Sequence, residues 1–135
     1  TAMGYPDPIF KTKQETDDNF DAGVKYVMDN LKHFELFMGT HNEKSNYRLA
    51  ELIEEKGLKH DDQRIFFAQL LGMSDNISFN LAHKGYRVTK YVPYASVRDV
   101  IPYLIRRAEE NTSVVGQTTR ELNMLRLEMK RRNKK

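Results

Sequence analysis

Cysteine is absent from the 135-residue sequence, so the chain cannot form disulfides, thiolate zinc sites, a cysteine nucleophile or a cysteine-ligated iron–sulfur cluster. Long apolar runs are also missing, because 30% of the residues are charged and the mean hydropathy is -0.70. No segment approaches the roughly 18 to 20 apolar residues that a membrane-spanning helix requires, and the first residues lack the pattern of a secretory signal. The composition predicts one soluble domain with a single core.

The net charge of +3 is concentrated at the carboxyl end of the chain. Six basic residues and one acidic residue between Arg126 and Lys135 give that segment +5, which leaves the first 125 residues at -2. A solvated helix end explains such a tail, and a surface for nucleic acid or an anionic membrane is the alternative. We expect a solvated helix end and no nucleic-acid partner. We also expect residues 1–135 to form a single region that ends in a basic helix and tail over 117–135.

Hydrophobic periodicity predicts helices and strands in alternation along the chain. A first helix capped by Asp17 or Asp18 precedes strands at 34–38, 64–71 and 88–94. The remaining helices are expected at 46–56, with Tyr47, Ala50 and Ile53 facing inward, after an Asp75 cap, from 96 to 111, and at 118–132. This order predicts an α/β fold with parallel strands and right-handed crossovers. Three strands leave two edges open, so we expect the chain to fold back, to self-associate, or to belong to a larger sheet.

Ligands of such sheets bind beyond the carboxyl ends of the strands, so the segments after each strand are candidate sites. Thr40, His41 and Asn42 follow the first strand and offer a hydroxyl, an imidazole and an amide, which suit a phosphate, a ribose or a heterocycle. An ordinary polar loop is the other interpretation, and by itself the tripeptide favours it. The histidines His33, His60 and His83 have no partner at ligand spacing, so we expect no metal site.

The helix expected over 96–111 has two contrasting sides. One side is apolar and is expected to pack: Val97, Val100, Ile101, Leu104, Ile105 and Ala108. The other side carries Tyr103, Arg106, Arg107 and Glu110. Two adjacent guanidinium groups can bind one small carboxylate together. A solvated face with an Arg106–Glu110 ion pair explains the pattern equally well. Pro102 cannot donate to the carbonyl of Arg98, which predicts a kink.

Four segments carry a family resemblance: GYPDPI (4–9), ELFMGTHNE (35–43), FFAQLLGMSDNISFNLA (66–82) and KYVPYASVRDVIPYLIRRAEENTS (90–113). Taken in order along the chain, they closely resemble the carboxyl-terminal half of proline dehydrogenase. Within that family, the sequence is more similar to the stand-alone enzymes than to the fused bifunctional proteins. Ala95 departs from the family, which has glycine after the Pro-Tyr pair.

The resemblance implies a distorted (β/α)8 TIM barrel that holds FAD at the strand ends, oxidises L-proline to 1-pyrroline-5-carboxylate and passes electrons to a membrane quinone. It also implies roles for eight residues. Those that would bind the substrate are Arg106 and Arg107 at the carboxylate, Tyr91 and Tyr103 beside the ring, and Leu70 near it. Those that would bind the cofactor are Thr40, His41 and Glu110.

Such a barrel needs roughly 200 residues or more, so the sequence resembles only its last three strands and final helices. The remaining flavin and substrate residues, including the catalytic ones, are expected in an amino-terminal part. We therefore expect the chain alone to be inactive and to self-associate. The resemblance implies a location in the cytoplasm, peripheral at the inner membrane, for a bacterial protein and in the mitochondrial matrix for a eukaryotic one. A non-enzymatic interaction or regulatory module that lacks flavin is the alternative.

Overall fold

Helices and strands alternate along the chain in the computed structural model, which describes Gly4, residues 9–113 and residues 117–133, with side chains omitted at 110–113 and 117–121. The elements are α1 Lys13–Asp29, β1 Leu36–Gly39, α2 Glu43–Glu55, β2 Ile65–Leu70, α3 Asp75–His83, β3 Val88–Tyr91, α4 Val97–Ser113 and α5 Gln117–Arg132. They fall into two compact units, Thr1–Val92 with the sheet and α1 to α3, and Pro93–Lys135 with α4 and α5.

Strand β2 lies at the centre of a three-stranded sheet and pairs in parallel with β1 on one side and β3 on the other. Met38 is aligned with Phe67, and Phe67 is aligned with Val88, so the three side chains project from the same face. The parallel arrangement expected from the alternating order is confirmed. Because all three strands run in one direction, their carboxyl ends meet at one edge of the sheet.

The core of the first unit lies on the face of the sheet that α1 and α2 cover. The four core side chains from β1 and β2 are Leu36, Met38, Ile65 and Phe67, and those from the helices are Val24, Met28, Leu49, Leu52 and Ile53. Phe67 is 0% exposed. Burial of these side chains supplies the main favourable free energy of folding of this unit.

The start of α1 differs from the expectation. The helix begins at Lys13 and is capped by Thr12, whose hydroxyl accepts a hydrogen bond from the amide of Glu15 while the Glu15 carboxylate accepts one from the amide of Thr12. This reciprocal capping box satisfies two amides at once, so the cap at Asp17 or Asp18 was wrong. Asp17 instead pairs with Lys13 one turn earlier.

Three further details of the first unit correct the sequence prediction. The cap of α3 is Ser74 rather than Asp75, whose carboxylate accepts a hydrogen bond from Lys90. Strand β3 ends at Tyr91, three residues before the predicted end, because its pairing with β2 stops there. Tyr47 was expected inside but is exposed, since the buried stripe of α2 passes through Asn46, Leu49 and Ile53 instead.

The second unit contains the two helices that the sequence predicts. Helix α4 begins directly after Ser96, whose hydroxyl donates to the Asp99 carboxylate, and Pro102 lies within the helix. In the part of the chain that the structure describes, neither these helices nor the other three are long and apolar enough to cross a membrane.

Replacement of Phe67 by alanine is expected to lower the free energy of unfolding by about 3–5 kcal/mol, because this ring is completely buried and its loss leaves a cavity. Phe79 is the matched control: its ring is 71% exposed, so Phe79→Ala should change the same quantity by less than about 0.5 kcal/mol. Urea unfolding followed by circular dichroism measures both. Equal losses in the two variants would contradict the placement of the core.

A histidine clamp joins the loops at the amino-terminal edge of the sheet. The Nε2 atom of His60 lies 2.6 Å from the Glu54 carboxylate, and its Nδ1 lies 2.7 Å from the carbonyl oxygen of Lys84. The ring also stacks on Tyr86 at 4.2 Å. Only the imidazolium can donate to both acceptors. Accordingly, the hydrogen bond to the Lys84 carbonyl and then the one to Glu54 raise the pKa of His60 above its ordinary value.

This clamp predicts a pH dependence of stability. Since the pKa of His60 is higher in the folded state than the unfolded value of 6.5, its contribution is fully present below that value and is lost as the pH rises through the folded pKa. His60→Gln should therefore lower the free energy of unfolding at pH 5.5 more than at pH 8.5. Urea unfolding at both values measures the difference, with exposed His83→Gln as the control. An equal loss at the two pH values would contradict the charged clamp.

Candidate functional site

The carboxyl ends of the strands bring Leu70 and Tyr91 together. The two residues are register partners on adjacent parallel strands, so their side chains project from the same face of the sheet. This face is opposite to the one that carries Phe67 and Val88 against the helices. Thr40 follows β1 at the same edge, and its amide donates to the carbonyl of Ala68 at 3.2 Å. Three of the residues predicted from the resemblance therefore lie at neighbouring strand ends.

Aromatic side chains occupy the same face below this edge. The rings of Phe37 and Phe66 are 6.1 Å apart, and the guanidinium of Arg87 lies 4.1 Å from the centroid of Phe66. Phe37 is 59% exposed and Tyr91 is 52% exposed. An accessible apolar face with polar residues in the loops at its strand ends suits a flat heterocyclic ring with polar edges. The residues of this edge therefore fit a flavin.

His41 lies on the loop after β1 and is partly buried. Its Nδ1 atom lies 2.9 Å from the hydroxyl of Ser74, which belongs to the loop after β2. Burial lowers the pKa of His41 below its ordinary value, and the positive charge of Lys90 lowers it further. Both effects favour the neutral imidazole, in which one nitrogen is protonated and the other can accept a hydrogen bond.

A buried polar network connects the first two loops beneath these residues. The amide of Gln69 donates to the Thr40 carbonyl at 3.5 Å and to the side chain of Asn46 at 3.3 Å. Gln69 also accepts from the Ser78 hydroxyl at 2.9 Å. Asn46 in turn donates to the backbone carbonyls of Thr40 and Asn42. These bonds hold the Thr40–Asn42 loop in one conformation relative to β2, because breaking any of them leaves a buried polar group without its partner.

Lys90 anchors the second loop from strand β3. Its ammonium group donates to the carbonyl of Met73 at 2.6 Å and to the carboxylate of Asp75 at 2.8 Å.

Sequence reasoning missed Lys90, Gln69 and Ser74. A signal for Gln69 was available, since it is an uncharged polar residue inside the otherwise apolar strand β2. No pattern in the sequence indicated that Ser74 reaches His41.

In the second unit, Tyr103 and Arg107 lie together on α4. The Arg107 guanidinium is 5.2 Å from the centroid of the Tyr103 ring, an arrangement that permits a cation–π interaction. Both residues are partly buried, whereas Arg106 is exposed. The i, i+4 spacing explains the Tyr103–Arg107 contact. The side chain of Glu110 lies outside the described residues.

The apolar side of α4 does not pack as expected. Val97 is 70% exposed, and Ile101, Leu104 and Ile105 are also exposed. Helical periodicity identifies which side of a helix is apolar but not which element covers it, and this is why the prediction failed.

Among the residues that the structure describes, no group of three or more histidine, aspartate and glutamate side chains could hold a metal ion.

Comparison with known proteins gives a consistent result. A family model described as "Proline dehydrogenase" matches residues 1–120. The chain is 44% identical to "Proline dehydrogenase 1, mitochondrial" of Homo sapiens over 133 residues, covering 96% of this chain and 22% of the human protein. It is 38% identical to "Hydroxyproline dehydrogenase" of Xenopus laevis over 133 residues, covering 96% of this chain and 28% of that protein.

A solved structure has a similar fold. The chain matches proline utilization A (PutA) from Bdellovibrio bacteriovorus, inactivated by N-propargylglycine, with a TM-score of 0.74 and 28% identity. The match covers 83% of this chain and 12% of the PutA chain. Together with the parallel strands and intervening helices, it confirms the predicted α/β fold, a part of a (β/α)8 TIM barrel. The chain belongs to the proline dehydrogenase family.

Proposed function

We propose that this chain is the carboxyl-terminal part of an FAD-dependent proline dehydrogenase that oxidises L-proline to 1-pyrroline-5-carboxylate and passes the electrons to a quinone. The family match over residues 1–120 supports the assignment. The observation that carries it is the placement of Leu70, Tyr91, Thr40 and His41 at adjacent strand ends, where the resemblance expects substrate and cofactor contacts.

Flavin binding is proposed for the edge formed by Thr40 and His41. When bound, FAD supplies the acceptor for the hydride that leaves the substrate. The Thr40 hydroxyl already accepts from the amide of Asn42 at 3.1 Å, which fixes the loop, and the Gln69 network holds the loop from below. A loop held in advance binds a cofactor at a smaller entropic cost. Glu110 is proposed at the edge of the same site.

Substrate binding is proposed for five residues. Arg106 and Arg107 bind the carboxylate of proline, Tyr91 and Tyr103 lie against its ring, and Leu70 packs near it. Two guanidinium groups supply several charge-assisted hydrogen bonds to one carboxylate. The contact of Arg107 with the Tyr103 ring restricts the guanidinium before substrate arrives. These residues orient the substrate carbon toward the flavin and exclude water, which is catalysis by proximity.

Activity is proposed for the whole protein, because the chain spans 22% of the human relative that it matches. In this proposal the groups that complete the flavin and substrate sites belong to the rest of the full-length protein, and the chain alone is inactive. The open edges of β1 and β3 pair with further strands there, and we propose that they drive self-association when the chain is isolated.

Several relatives are mitochondrial by name, which supports the mitochondrial matrix as the location if the protein is eukaryotic. A bacterial protein would be cytoplasmic and peripheral at the inner membrane.

Replacement of Arg107 by methionine in the full-length protein is expected to lower kcat/KM for proline by about 30-fold or more, because the substrate carboxylate loses a charged partner. Arg98→Met is the matched control on the same helix and should retain the wild-type value. Steady-state kinetics with a soluble quinone analogue measure both variants. An unchanged kcat/KM in Arg107→Met would contradict the carboxylate assignment.

Flavin binding gives a second test. The purified full-length protein should be yellow, and His41→Ala should weaken FAD binding by about tenfold, since a partly buried imidazole proposed at the cofactor is lost. Fluorescence titration of the apoprotein with FAD measures the affinity, and exposed His83→Ala is the control. A colourless full-length protein that binds no FAD would favour the non-enzymatic module instead.

A further inference from the structure

Ser74 has an unusual backbone conformation. Its φ and ψ angles of 51° and 40° lie in the left-handed helical region, and among the described residues no other residue except glycine has a positive φ. A residue with a Cβ atom adopts this region at an energetic cost. Such strain persists only where the surrounding structure holds it, and it is concentrated at functional sites.

The Ser74 hydroxyl does not cap helix α3, although its position predicts that it should. Ser74 is the N-cap of α3, where a serine hydroxyl ordinarily accepts a hydrogen bond from the first turn of the helix, but its side chain makes no such bond. Instead, the hydroxyl lies 2.9 Å from Nδ1 of His41, 33 residues earlier in the chain. Ser74 is buried, and His41 is partly buried.

Two residues, Lys90 and Ser78, hold the strained turn. Lys90 on β3 donates to the carbonyl of Met73 and to the carboxylate of Asp75, the residues on either side of Ser74. From α3, the Ser78 hydroxyl lies 3.1 Å from the Ser74 carbonyl and shares its single hydrogen between that oxygen and the side-chain oxygen of Gln69. The turn is therefore bonded at three consecutive residues, and only the Ser74 side chain is directed to His41.

We infer that Ser74 is a positioning residue for His41: its hydroxyl holds the imidazole in one orientation, so that the ring presents a constant edge to the flavin. This inference rests on the proposed function, in which His41 contacts FAD. The left-handed backbone is what aims the hydroxyl, and Lys90 and Ser78 maintain that backbone.

Replacement of Ser74 by glycine separates the hydroxyl from the backbone. Glycine adopts a positive φ without strain, so Ser74→Gly keeps the turn and removes only the contact with His41. Ser74→Asn is the rescue variant, because asparagine tolerates this conformation and supplies a polar side chain. Thr16→Ala is the control, since it removes an exposed hydroxyl on α1 that bonds the Thr12 carbonyl and takes no part in the loops at the strand ends.

The test uses the full-length apoprotein with 15N-labelled histidine rings, in which the His41 signals are assigned by their loss in His41→Gln. We expect the Nδ1 shift of His41 to show a hydrogen bond to that atom in the wild type, Thr16→Ala and Ser74→Asn. In Ser74→Gly the Nδ1 shift should move away from the wild-type value, because the hydrogen bond to the Ser74 hydroxyl is lost. Titration with FAD should give a Kd raised about three- to tenfold in Ser74→Gly alone.

The two readouts separate this inference from the proposed function. Unchanged His41 shifts in Ser74→Gly would overturn the positioning role, whatever the FAD affinity. Altered shifts with an unchanged Kd for FAD would support the positioning role and count against the flavin contact of His41. The same change of the Nδ1 shift in Thr16→Ala would overturn the specific role of Ser74, because that variant removes a hydroxyl that does not contact His41.

Discussion

Parallel pairing on both sides of β2 is the constraint on which the candidate site depends. It aligns Gly39 with Ala68 and Leu70 with Tyr91, and this register brings three strand ends to one edge. Loops that are distant in sequence consequently meet there, as the contact between His41 and Ser74 illustrates. A shift of one residue in the pairing of β2 with β3 would turn Leu70 and Tyr91 to different faces of the sheet.

The sheet divides into an apolar half and a polar half. Toward the amino ends of the strands, Ile65 and Phe67 pack against the helices, and the His60 clamp ties the loops outside them. Toward the carboxyl ends, Gln69 replaces an apolar side chain and connects the loops by hydrogen bonds. Apolar packing stabilises the unit without specifying the position of polar groups, whereas the network specifies position and stabilises less. In (β/α)8 barrels the same division places function at the carboxyl end.

The resemblance identified Leu70, Tyr91, Thr40 and His41 as residues of interest, and their positions at adjacent strand ends follow from parallel pairing. It did not identify the residues that support them. Gln69, Ser74 and Lys90 act through contacts made by residues that lie between 9 and 33 positions away in sequence. Local patterns cannot predict such contacts, because they depend on which loops the sheet brings together.

Residue patterns alone determined the alternation of helices and strands, the parallel sheet and the positive charge of the carboxyl end, because helical and strand periodicity and turn residues act over a few positions. The tertiary structure decided which apolar side chains are covered, as the exposed Tyr47 and Val97 demonstrate. It also decided that the Ser74 hydroxyl bonds His41 instead of capping its own helix. The physical reason is that burial and long-range hydrogen bonds depend on neighbours distant in the chain, whose positions no local sequence pattern encodes.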